Sequence, residues 1–164
     1  MIDSLPSNAD CLRVLKADQL GRIELCRYRG ELAIRRDVSV ARWWARAFAR
    51  RAARREARVL HRLDGLAGVP RLLAWDGDFL LRSYIDGAPM QEKRPDTPTY
   101  YRQALRLLAT LHRRGVVHND LAKEPNWLVD DKGRPALVDF QIAGRFPRRG
   151  MLFRVLARED LRHA

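Results

Sequence analysis

Apolar and polar residues alternate through the first third of the chain, in the pattern of half-buried β-strands. Ile23 and Leu25 alternate with Arg22 and Glu24, and residues 29–30 read as a turn before the next run. The pattern predicts three strands, at residues 11–15, 21–28 and 31–35. Two further strands are predicted to form a hairpin around an Asp-Gly-Asp turn, at 69–75 and 79–84.

Residues 40–63 carry apolar residues at helical spacing and are predicted to form one long helix. Seven arginines lie between residues 42 and 58, and Glu56 is the only acidic residue among them. Trp43, Trp44 and Phe48 at the front of this helix admit two interpretations. Aromatic residues mixed with arginines are typical of helices that lie in a membrane interface. The same rings could instead pack beneath the small sheet, and we favour core packing.

The second half of the chain is predicted to contain one long helix, one hairpin and a final helix. Thr97 and Pro98 offer a capping hydroxyl and a proline suited to a helix start, and Gly115 ends the helix. Its buried face is predicted to contain Tyr101, Ala104, Leu105, Leu108, Leu111 and His112. Short apolar runs predict strands at 115–117, 127–129 and 136–138. Residues 151–157, extended to 161, can form an amphipathic helix.

At 164 residues with 46% hydrophobic side chains, the chain is long enough for one domain, or one domain with two small lobes. Cys11 and Cys26 form neither a metal-like pair nor a disulfide framework, which favours a reducing cytoplasm. The first six residues lack a basic start followed by an apolar run, so we do not expect a secretory signal. No stretch of about 18 residues is free of charge, so no segment is expected to span a membrane.

The net charge of +12 is the strongest compositional signal. A field of that sign attracts anions, among them ATP, nucleic acid, anionic lipid headgroups and phosphorylated sugars, without selecting one of them. A basic nucleic-acid-binding protein is therefore one candidate, although the chain has no recognition motif for nucleic acid. Arginine-rich composition is also common in proteins from GC-rich genomes, so the charge alone assigns no partner.

The residues that carry candidate chemistry flank the apolar runs of the predicted hairpin. Asp120 follows the run at 115–117 and can accept a proton from a hydroxyl. Asn126 and Asp139 can offer oxygens to Mg²⁺, which prefers hard oxygen ligands. A single aspartate at a strand end would more simply cap a loop, but the ordered set of three favours a catalytic centre.

The segment His118-Asn119-Asp120, followed by Asn126 and by residues 139–141, resembles the catalytic centre of the protein-kinase-like superfamily. More narrowly, it looks like small bacterial relatives of the RIO-type and lipopolysaccharide-core sugar kinases. The resemblance implies an α+β, kinase-like fold over residues 1–164 as a single domain. A small antiparallel-sheet N-lobe would span residues 11–85 and a reduced helical C-lobe residues 86–164. It also implies Mg²⁺-dependent transfer of the γ-phosphate of ATP to a hydroxyl.

The resemblance implies a role for each matching residue of this centre. Asp120 would orient the acceptor hydroxyl and take its proton, and Lys123 would steady the transferring phosphoryl group. Asn126 and Asp139 would hold Mg²⁺ against the phosphates. His118 would brace the loop by hydrogen bonding.

On the nucleotide side, residues 32–35 are similar to the kinase sequence Val-Ala-Ile-Lys. Ala33 would lie beside the adenine and Arg35 beside the phosphates, on the same face of the strand. We expect Glu56 to pair with Arg35, as the helix glutamate of kinases pairs with the strand cation. The backbone of the predicted hinge would face the adenine edge, at Ser83, Tyr84 and Ile85.

Several positions depart from the kinase pattern. Arg35 stands where kinases have lysine, and Gly21 is the only glycine available between the first two strands. Asn126 falls six residues after Asp120 rather than five, which requires a bulge at 122–125. Gln141 replaces a glycine. The missing glycines, Arg35 and the short C-terminal lobe favour an alternative function, a pseudokinase that binds a nucleotide or a partner without turnover.

The acceptor is expected to be anionic, because the arginine-rich surface could hold a molecule that carries its own negative charges. A RIO-like serine/threonine kinase acting on a protein or ribonucleoprotein is slightly favoured over a lipopolysaccharide-core sugar kinase. We expect a cytoplasmic protein. A sugar acceptor of that kind would add peripheral contact with the inner membrane, for which Trp43, Trp44 and Phe48 are candidates.

Overall fold

The computed structural model describes residues 9–163. The prediction about a secretory signal concerns the first six residues and lies outside this described part. Within it, strands and helices follow one another in the mixed order of an α+β protein. The predicted fold class is therefore confirmed.

A five-stranded antiparallel sheet forms the first half of the structure, in the order β1-β2-β3-β5-β4. Its strands are β1 (Asp10–Asp18), β2 (Gly21–Tyr28), β3 (Glu31–Asp37), β4 (Leu72–Trp75) and β5 (Phe79–Ser83). β3 pairs with β2 on one side and with β5 on the other, so it lies at the centre of the sheet. The three predicted N-terminal strands and the predicted hairpin all form.

Successive residues of β3 lie on opposite faces of the sheet, because side chains alternate along a strand. Ile34 and Arg36 share one face, which meets the following helix through an ion pair between Arg36 and Glu56. Ala33 and Arg35 share the other face. Ala33 is fully buried there in a small cluster that includes Ala74 and Leu81.

Helix α1 (Arg46–Arg62) begins later than predicted, because residues 40–45 form turns and bends. Its buried residues are Ala49, Ala53, Glu56, Ala57, Val59 and Leu60. The small alanine side chains let the helix lie close to the sheet. The expected core packing of the aromatic residues is wrong: Trp43 is 85% exposed, Trp44 55% and Phe48 61%. They lie outside the face that the alanines define.

The second half of the structure surrounds two small sheets with helices. Its elements are β6 (Gly87–Pro89), the single-turn α2 (Met90–Lys93), α3 (Pro98–Arg113), β7 (Val116–Val117), a 3₁₀ helix (Glu124–Asn126), β8 (Trp127–Asp130), β9 (Pro135–Leu137), β10 (Gly144–Arg145) and α4 (Met151–Arg162). β6, β8 and β9 form one sheet, and β10 pairs with β7. No helix of the described residues is both long and apolar enough to cross a membrane. The division into two lobes near residue 85 stays a prediction.

Helix α3 supplies much of the main core. It starts at Pro98 as predicted, although the Thr97 hydroxyl makes no capping hydrogen bond. Its buried residues are Tyr100, Ala104, Leu107, Leu108 and Leu111. Tyr101 and Leu105 are exposed, so the predicted face was rotated by about one position. The core that forms on this face also contains Leu60, Leu63, Trp127, Leu137 and Phe140.

Cys11 and Cys26 lie directly opposite each other on β1 and β2. Their sulfur atoms and one carboxylate oxygen of Glu24 all lie within 4.8 Å of one another. Antiparallel pairing brings these residues together although they are distant in sequence. The expectation that they form no metal-like pair stays a prediction. Both are free thiols, Cys11 exposed and Cys26 buried.

Candidate active site

The carboxylate of Asp160 on α4 holds the loop that follows β7. The backbone N–H groups of His118 and Asn119 donate to its two oxygens at 2.7 and 2.8 Å. His112 Nε2 lies 3.0 Å from the same carboxylate. Asp160 is buried, so these contacts are shielded from water and fix the direction in which the loop leaves β7.

Sequence reasoning missed Asp160, which it treated only as part of a final helix. The signal that could have found it is its place on the buried face of α4. Phe153, Ala157 and Asp160 recur at helical spacing, and all three are buried. An acid on an apolar face must find hydrogen-bond donors. The sequence does not show that these donors lie about forty positions earlier, in the loop after β7.

Asn119 and Asp139 both have a left-handed backbone, with φ of 64° at each. This conformation is unfavourable for residues with a Cβ, at about 1–3 kcal/mol, and such residues cluster at functional sites. Asn119 Nδ2 also donates to the carbonyl of Ile142 at 3.1 Å. That contact ties the loop before Asp120 to the segment after Asp139.

Asp120, Lys123 and Asn126 form one hydrogen-bonded cluster. Lys123 Nζ donates to Asp120 Oδ2 at 2.8 Å, and Asn126 Nδ2 donates to the same oxygen at 3.1 Å. Asn126 Nδ2 also donates to the backbone carbonyl of Asp120 at 2.8 Å. The contact with Asp120 raises the pKa of Lys123, so the amine stays charged. Asp120 Oδ1 makes no hydrogen bond within the described residues and is available to an incoming hydroxyl.

The 3₁₀ helix accommodates the extra residue between Asp120 and Asn126. The Lys123 N–H donates to the Asp120 carbonyl at 3.3 Å, and the Asn126 N–H donates to the Lys123 carbonyl at 2.9 Å. Pro125 suits a first helical turn, where no amide donor is required. The bulge expected at 122–125 is thus a tight turn that returns Asn126 to Asp120.

Asp139 is placed close to Asn126 by the backbone. The Val138 N–H donates to the Asn126 carbonyl at 3.0 Å. Asp139 Oδ1 is buried and has no hydrogen-bond partner in the described part of the chain. A buried carboxylate oxygen without a partner is costly, and a cation would satisfy it. With the amide oxygen of Asn126, it provides the hard oxygen donors that Mg²⁺ prefers.

His118 has the geometry of a bracing residue. Its Nε2 lies 3.0 Å from the Val138 carbonyl, so this nitrogen carries the proton, and Nδ1 is buried with no partner among the described residues. Burial lowers the pKa of His118 below its ordinary value of 6.5, against the opposing effects of the Val138 carbonyl and Asp160. The ring also packs against Phe140, with centroids 4.7 Å apart. A neutral, buried imidazole orders the loop without contacting solvent.

The strand cation beside Glu56 is Arg36, so the predicted pairing with Arg35 is wrong. Glu56 is fully buried, with Oε2 3.6 Å from Arg36 Nε and Oε1 3.3 Å from a terminal nitrogen of Arg82. These are ion pairs without aligned hydrogen bonds, since neither Glu56 oxygen has a hydrogen-bond partner within the described residues. Arg35 instead binds Glu24, through Nε at 2.8 Å and a terminal nitrogen at 2.7 Å.

The error has a simple physical cause. Arg35 and Arg36 are consecutive, and a shift of one residue along a strand moves a side chain to the opposite face. The pair that faces α1 is therefore Ile34 and Arg36. The two predicted nucleotide contacts, Ala33 and Arg35, lie on the other face of β3.

A cavity of about 40 Å³ lies between the β1–β2 turn and the residue after Phe140. Gly21, Arg36 and Gln141 are among the residues that line it. Gly21 has a φ of 124°, and a Cβ at this position would collide with the carbonyl oxygen of Asp37. The glycine thus lets the turn lie tightly against β3. The cavity has room for about one water molecule, so a triphosphate can enter only if the turn moves.

Two of the three predicted hinge residues have their backbone amides engaged. The Tyr84 N–H donates to the Leu32 carbonyl at 3.1 Å, and the Ser83 N–H donates to the Arg71 carbonyl at 2.9 Å. Ile85 makes no backbone hydrogen bond with the described residues. Of the three, Ile85 is therefore the one with both backbone groups free for an adenine edge.

A groove of about 1570 Å³ lies between α1 and residues 142–147. The residues of α1 that carry its charge are Arg50, Arg51, Arg54, Arg55 and Arg58. Arg145 lines it as well, and so does Asn119, the residue before Asp120. Arg50 is bound to Asp78 at 2.7 Å, whereas the other five arginines make no ion pair within residues 9–163. Asp76 and Asp78 line the groove too, so arginines outnumber acidic residues six to two along a surface that reaches the loop before Asp120.

Comparison with known protein families matches the RIO domain to residues 26–145. The match contains the Arg36–Glu56 ion pair and the cluster around Asp120. The chain belongs to the RIO domain family. The kinase-like resemblance seen in the sequence is therefore confirmed. The RIO domain match ends before α4, so Asp160 contacts the loop after β7 from outside the matched region.

A curated relative, the "Probable serine/threonine-protein kinase pknA2" of Bifidobacterium longum (strain NCC 2705), is 35% identical over 74 residues. The similarity covers 40% of this chain and 10% of that relative. The chain thus matches only a small part of the relative's length. The relative agrees with the RIO domain in placing the chain among kinase-like proteins.

Proposed function

We propose that this RIO-domain protein is an ATP- and Mg²⁺-dependent phosphotransferase that transfers the γ-phosphate of ATP to a hydroxyl group. The observation that carries the proposal is the arrangement of Asp120, Asn126 and Asp139. One aspartate oxygen is free to accept from a hydroxyl, and a second, buried aspartate oxygen has no partner among the described residues. Membership of the RIO domain family supports the reaction class.

Asp120 is the residue that we assign to the acceptor. Its free oxygen orients the hydroxyl, whose oxygen attacks the γ-phosphorus while the bond to the bridging oxygen breaks and ADP leaves. The hydroxyl proton passes to Asp120. Lys123, held 2.8 Å from Asp120, places a positive charge close to the transferring phosphoryl group.

Asn126 and Asp139 are the residues that we assign to Mg²⁺, which neutralises phosphate charge when bound. We assign the phosphate-binding cation to Arg36 in place of Arg35, because Arg36 faces Glu56 and lines the cavity beneath the β1–β2 turn. Its guanidinium can bind phosphate oxygens in a bidentate manner. The backbone of Ile85 is the candidate for the adenine edge.

The acceptor that we propose is anionic, because the arginine groove leads directly to the residue before Asp120. Five arginines of that groove are without an acidic partner in the described structure, so an anionic group would find ready partners. A protein or ribonucleoprotein acceptor is favoured over a lipopolysaccharide-core sugar, since the matched relative is named a serine/threonine kinase. We place the reaction in the cytoplasm, where ATP is available.

A pseudokinase is the second candidate, and two observations favour it. The cavity beneath the β1–β2 turn is far too small for a triphosphate in this conformation. Two hinge amides are also already bonded to the protein. A protein of this kind would bind the nucleotide weakly and would transfer no phosphate.

Phosphate transfer can be tested with ATP labelled at the γ-position, Mg²⁺ and cell extract as the source of acceptor. The wild type should label an acceptor, and Asp120→Asn should abolish labelling because the carboxylate that takes the proton is lost. Asp131→Asn, a change of an exposed aspartate in the β8–β9 turn, is the matched control and should leave labelling unchanged. Binding of ATP without labelling would favour the pseudokinase. Labelling by Asp120→Asn at the wild-type rate would refute the assigned role.

A further inference from the structure

An exposed apolar patch lies at the start of α1. It consists of Val40, Trp43, Trp44 and Phe48, which are 48%, 85%, 55% and 61% exposed. Single exposed apolar residues are ordinary on protein surfaces, but three large aromatic side chains within six positions are not. Such a patch marks a surface that binds something.

The surroundings of this patch are positively charged. Arg42, Arg46, Arg50 and Arg51 lie beside it in sequence, and all four are exposed. Of these, Arg50 is neutralised by Asp78. Glu56, the only acidic residue of α1, is buried on the opposite face of the helix. The turn before α1 and the first turn of the helix therefore present aromatic rings amid positive charge.

We propose that this aromatic patch, with the arginines beside it, binds an anionic lipid membrane. Tryptophan prefers the level of the lipid headgroups, where its ring is buried and its N–H remains hydrated. Arginine can bind the lipid phosphates in a bidentate manner. Trp43 and Trp44 in the turn before α1 and Phe48 in its first turn, with arginines beside them, are suited to lie in the membrane interface, with the rings inserted to a shallow depth.

Single-stranded nucleic acid fits this patch less well. Proteins that bind it place aromatic rings and cations along one groove, so that bases stack while the phosphates are held. Trp43, Trp44 and Phe48 do not line the arginine groove. Val40 has no ring on which a base could stack. The patch is highly exposed and lies outside the groove, which suits a broad, soft surface better than a threaded strand.

Vesicle flotation tests the inference without nucleotide or acceptor, so its outcome is independent of the proposed phosphotransfer. The 164-residue chain is mixed with vesicles of phosphatidylglycerol and phosphatidylcholine, or of phosphatidylcholine alone, at about 0.15 M ionic strength. We expect the wild type to float with the anionic vesicles only. A triple variant, Trp43→Ser with Trp44→Ser and Phe48→Ser, should bind at least about tenfold more weakly, because the inserted rings are lost.

A matched control replaces exposed apolar residues elsewhere. Met151 and Leu152 on α4 are 83% and 61% exposed, similar to the rings of the patch. Met151→Ser with Leu152→Ser should float like the wild type. Equal loss in both variants would show that exposed apolar area in general drives binding, and would overturn the assignment to α1.

Tryptophan emission provides the second readout. The chain has four tryptophans, of which Trp127 is buried in the core. Anionic vesicles should shift the wild-type emission to the blue, and acyl-chain-brominated lipids should quench it. In Trp43→Phe with Trp44→Phe, flotation should persist while the shift disappears. No flotation at this ionic strength, or flotation with no shift, overturns the proposal. The proposal is also overturned if the wild type does not float with vesicles but binds a single-stranded oligonucleotide tightly, and the triple variant loses that binding.

Discussion

At the scale of residues, the loop that carries Asp120 depends on one buried carboxylate. Asp160 accepts hydrogen bonds from two successive backbone amides, at His118 and Asn119, and lies against His112. A buried carboxylate is stable only when such donors surround it. Asp160 and the loop therefore stabilise each other. Asp160 is a positioning residue, because it acts on the site only through the loop.

Asp160→Ala should lower the free energy of unfolding by about 3 kcal/mol, because two buried amides lose a charged acceptor. Glu159→Ala is the matched control, since Glu159 pairs with Arg162 on the surface. That change should stay within about 0.5 kcal/mol of the wild type. Urea denaturation of both variants measures the difference. Similar losses would show that Asp160 does not hold the loop.

The stability of the protein should depend on the protonation of His118. Burial lowers the pKa of His118 in the folded state below 6.5, so the unfolded chain takes up a proton at a higher pH than the folded protein does. The contribution of the neutral ring is complete above about pH 6.5 and is lost as the pH falls below that value. The acidic groups that face His118 are Asp160, Asp139 and Asp120.

We therefore expect the free energy of unfolding of the wild type to decrease as the pH is lowered from about 7.5 to about 5. His118→Gln should show a smaller fall, because its side chain does not titrate. His61→Gln changes an exposed histidine, and the free energy of unfolding of this variant should fall with pH as that of the wild type does. Urea denaturation across this range gives the slopes. A slope that His118→Gln leaves unchanged would contradict a lowered pKa.

At the scale of elements, strands were easier to predict than helix faces. The alternation of Arg22, Ile23, Glu24 and Leu25 indicated β2, since a period of two has a single interpretation. At the start of α1, the size of the aromatic residues suggested burial, whereas the alanines form the packed face of the helix. Residue size does not show how closely a helix approaches a sheet. The order of Asp120, Asn126 and Asp139 was visible in the sequence, but the choice between Arg35 and Arg36 required the register of β3.

The opposite orientations of Arg35 and Arg36 on β3 lead to a prediction about nucleotide binding. Arg36→Gln should weaken binding of Mg²⁺–ATP by about tenfold, because the cation beneath the β1–β2 turn is lost. Arg35→Gln is the matched control: it removes the same charge one residue away, on the opposite face, and should change binding by less than about twofold. Calorimetric titration measures both. A larger loss in Arg35→Gln would restore the assignment made from sequence.

At the scale of the whole molecule, the net charge of +12 is unevenly distributed over the surface. The exposed arginines of α1 line a groove that leads to the loop before Asp120, and Asp76 and Asp78 line the same groove. A concave, mainly positive surface attracts anions more strongly than the same charges spread over a sphere. The composition indicated an anionic partner but not the surface that binds it. The sequence could not show this surface, because the groove forms only where α1 faces residues 142–147.

Two pairs of substitutions test whether this groove, rather than net charge, binds anions. Arg54→Gln with Arg58→Gln removes two groove charges that are one helical turn apart. Arg154→Gln with Arg158→Gln removes two exposed charges at the same spacing on α4. Without Mg²⁺ and at about 0.15 M ionic strength, the first variant should bind inorganic tripolyphosphate about tenfold more weakly than the wild type. The α4 variant should bind like the wild type, and equal losses would assign the effect to net charge.

The most direct test of the central claim compares the two aspartates of the site in one calorimetric titration with ATP, with and without Mg²⁺. Asp139 faces the cation in this account, and Asp120 faces the acceptor. Asp139→Ala should therefore abolish the part of the affinity that depends on Mg²⁺. Asp120→Ala should keep the wild-type affinity within about threefold. If both changes weaken binding equally, or if Mg²⁺ does not affect the affinity of the wild type, the roles assigned to these residues are wrong.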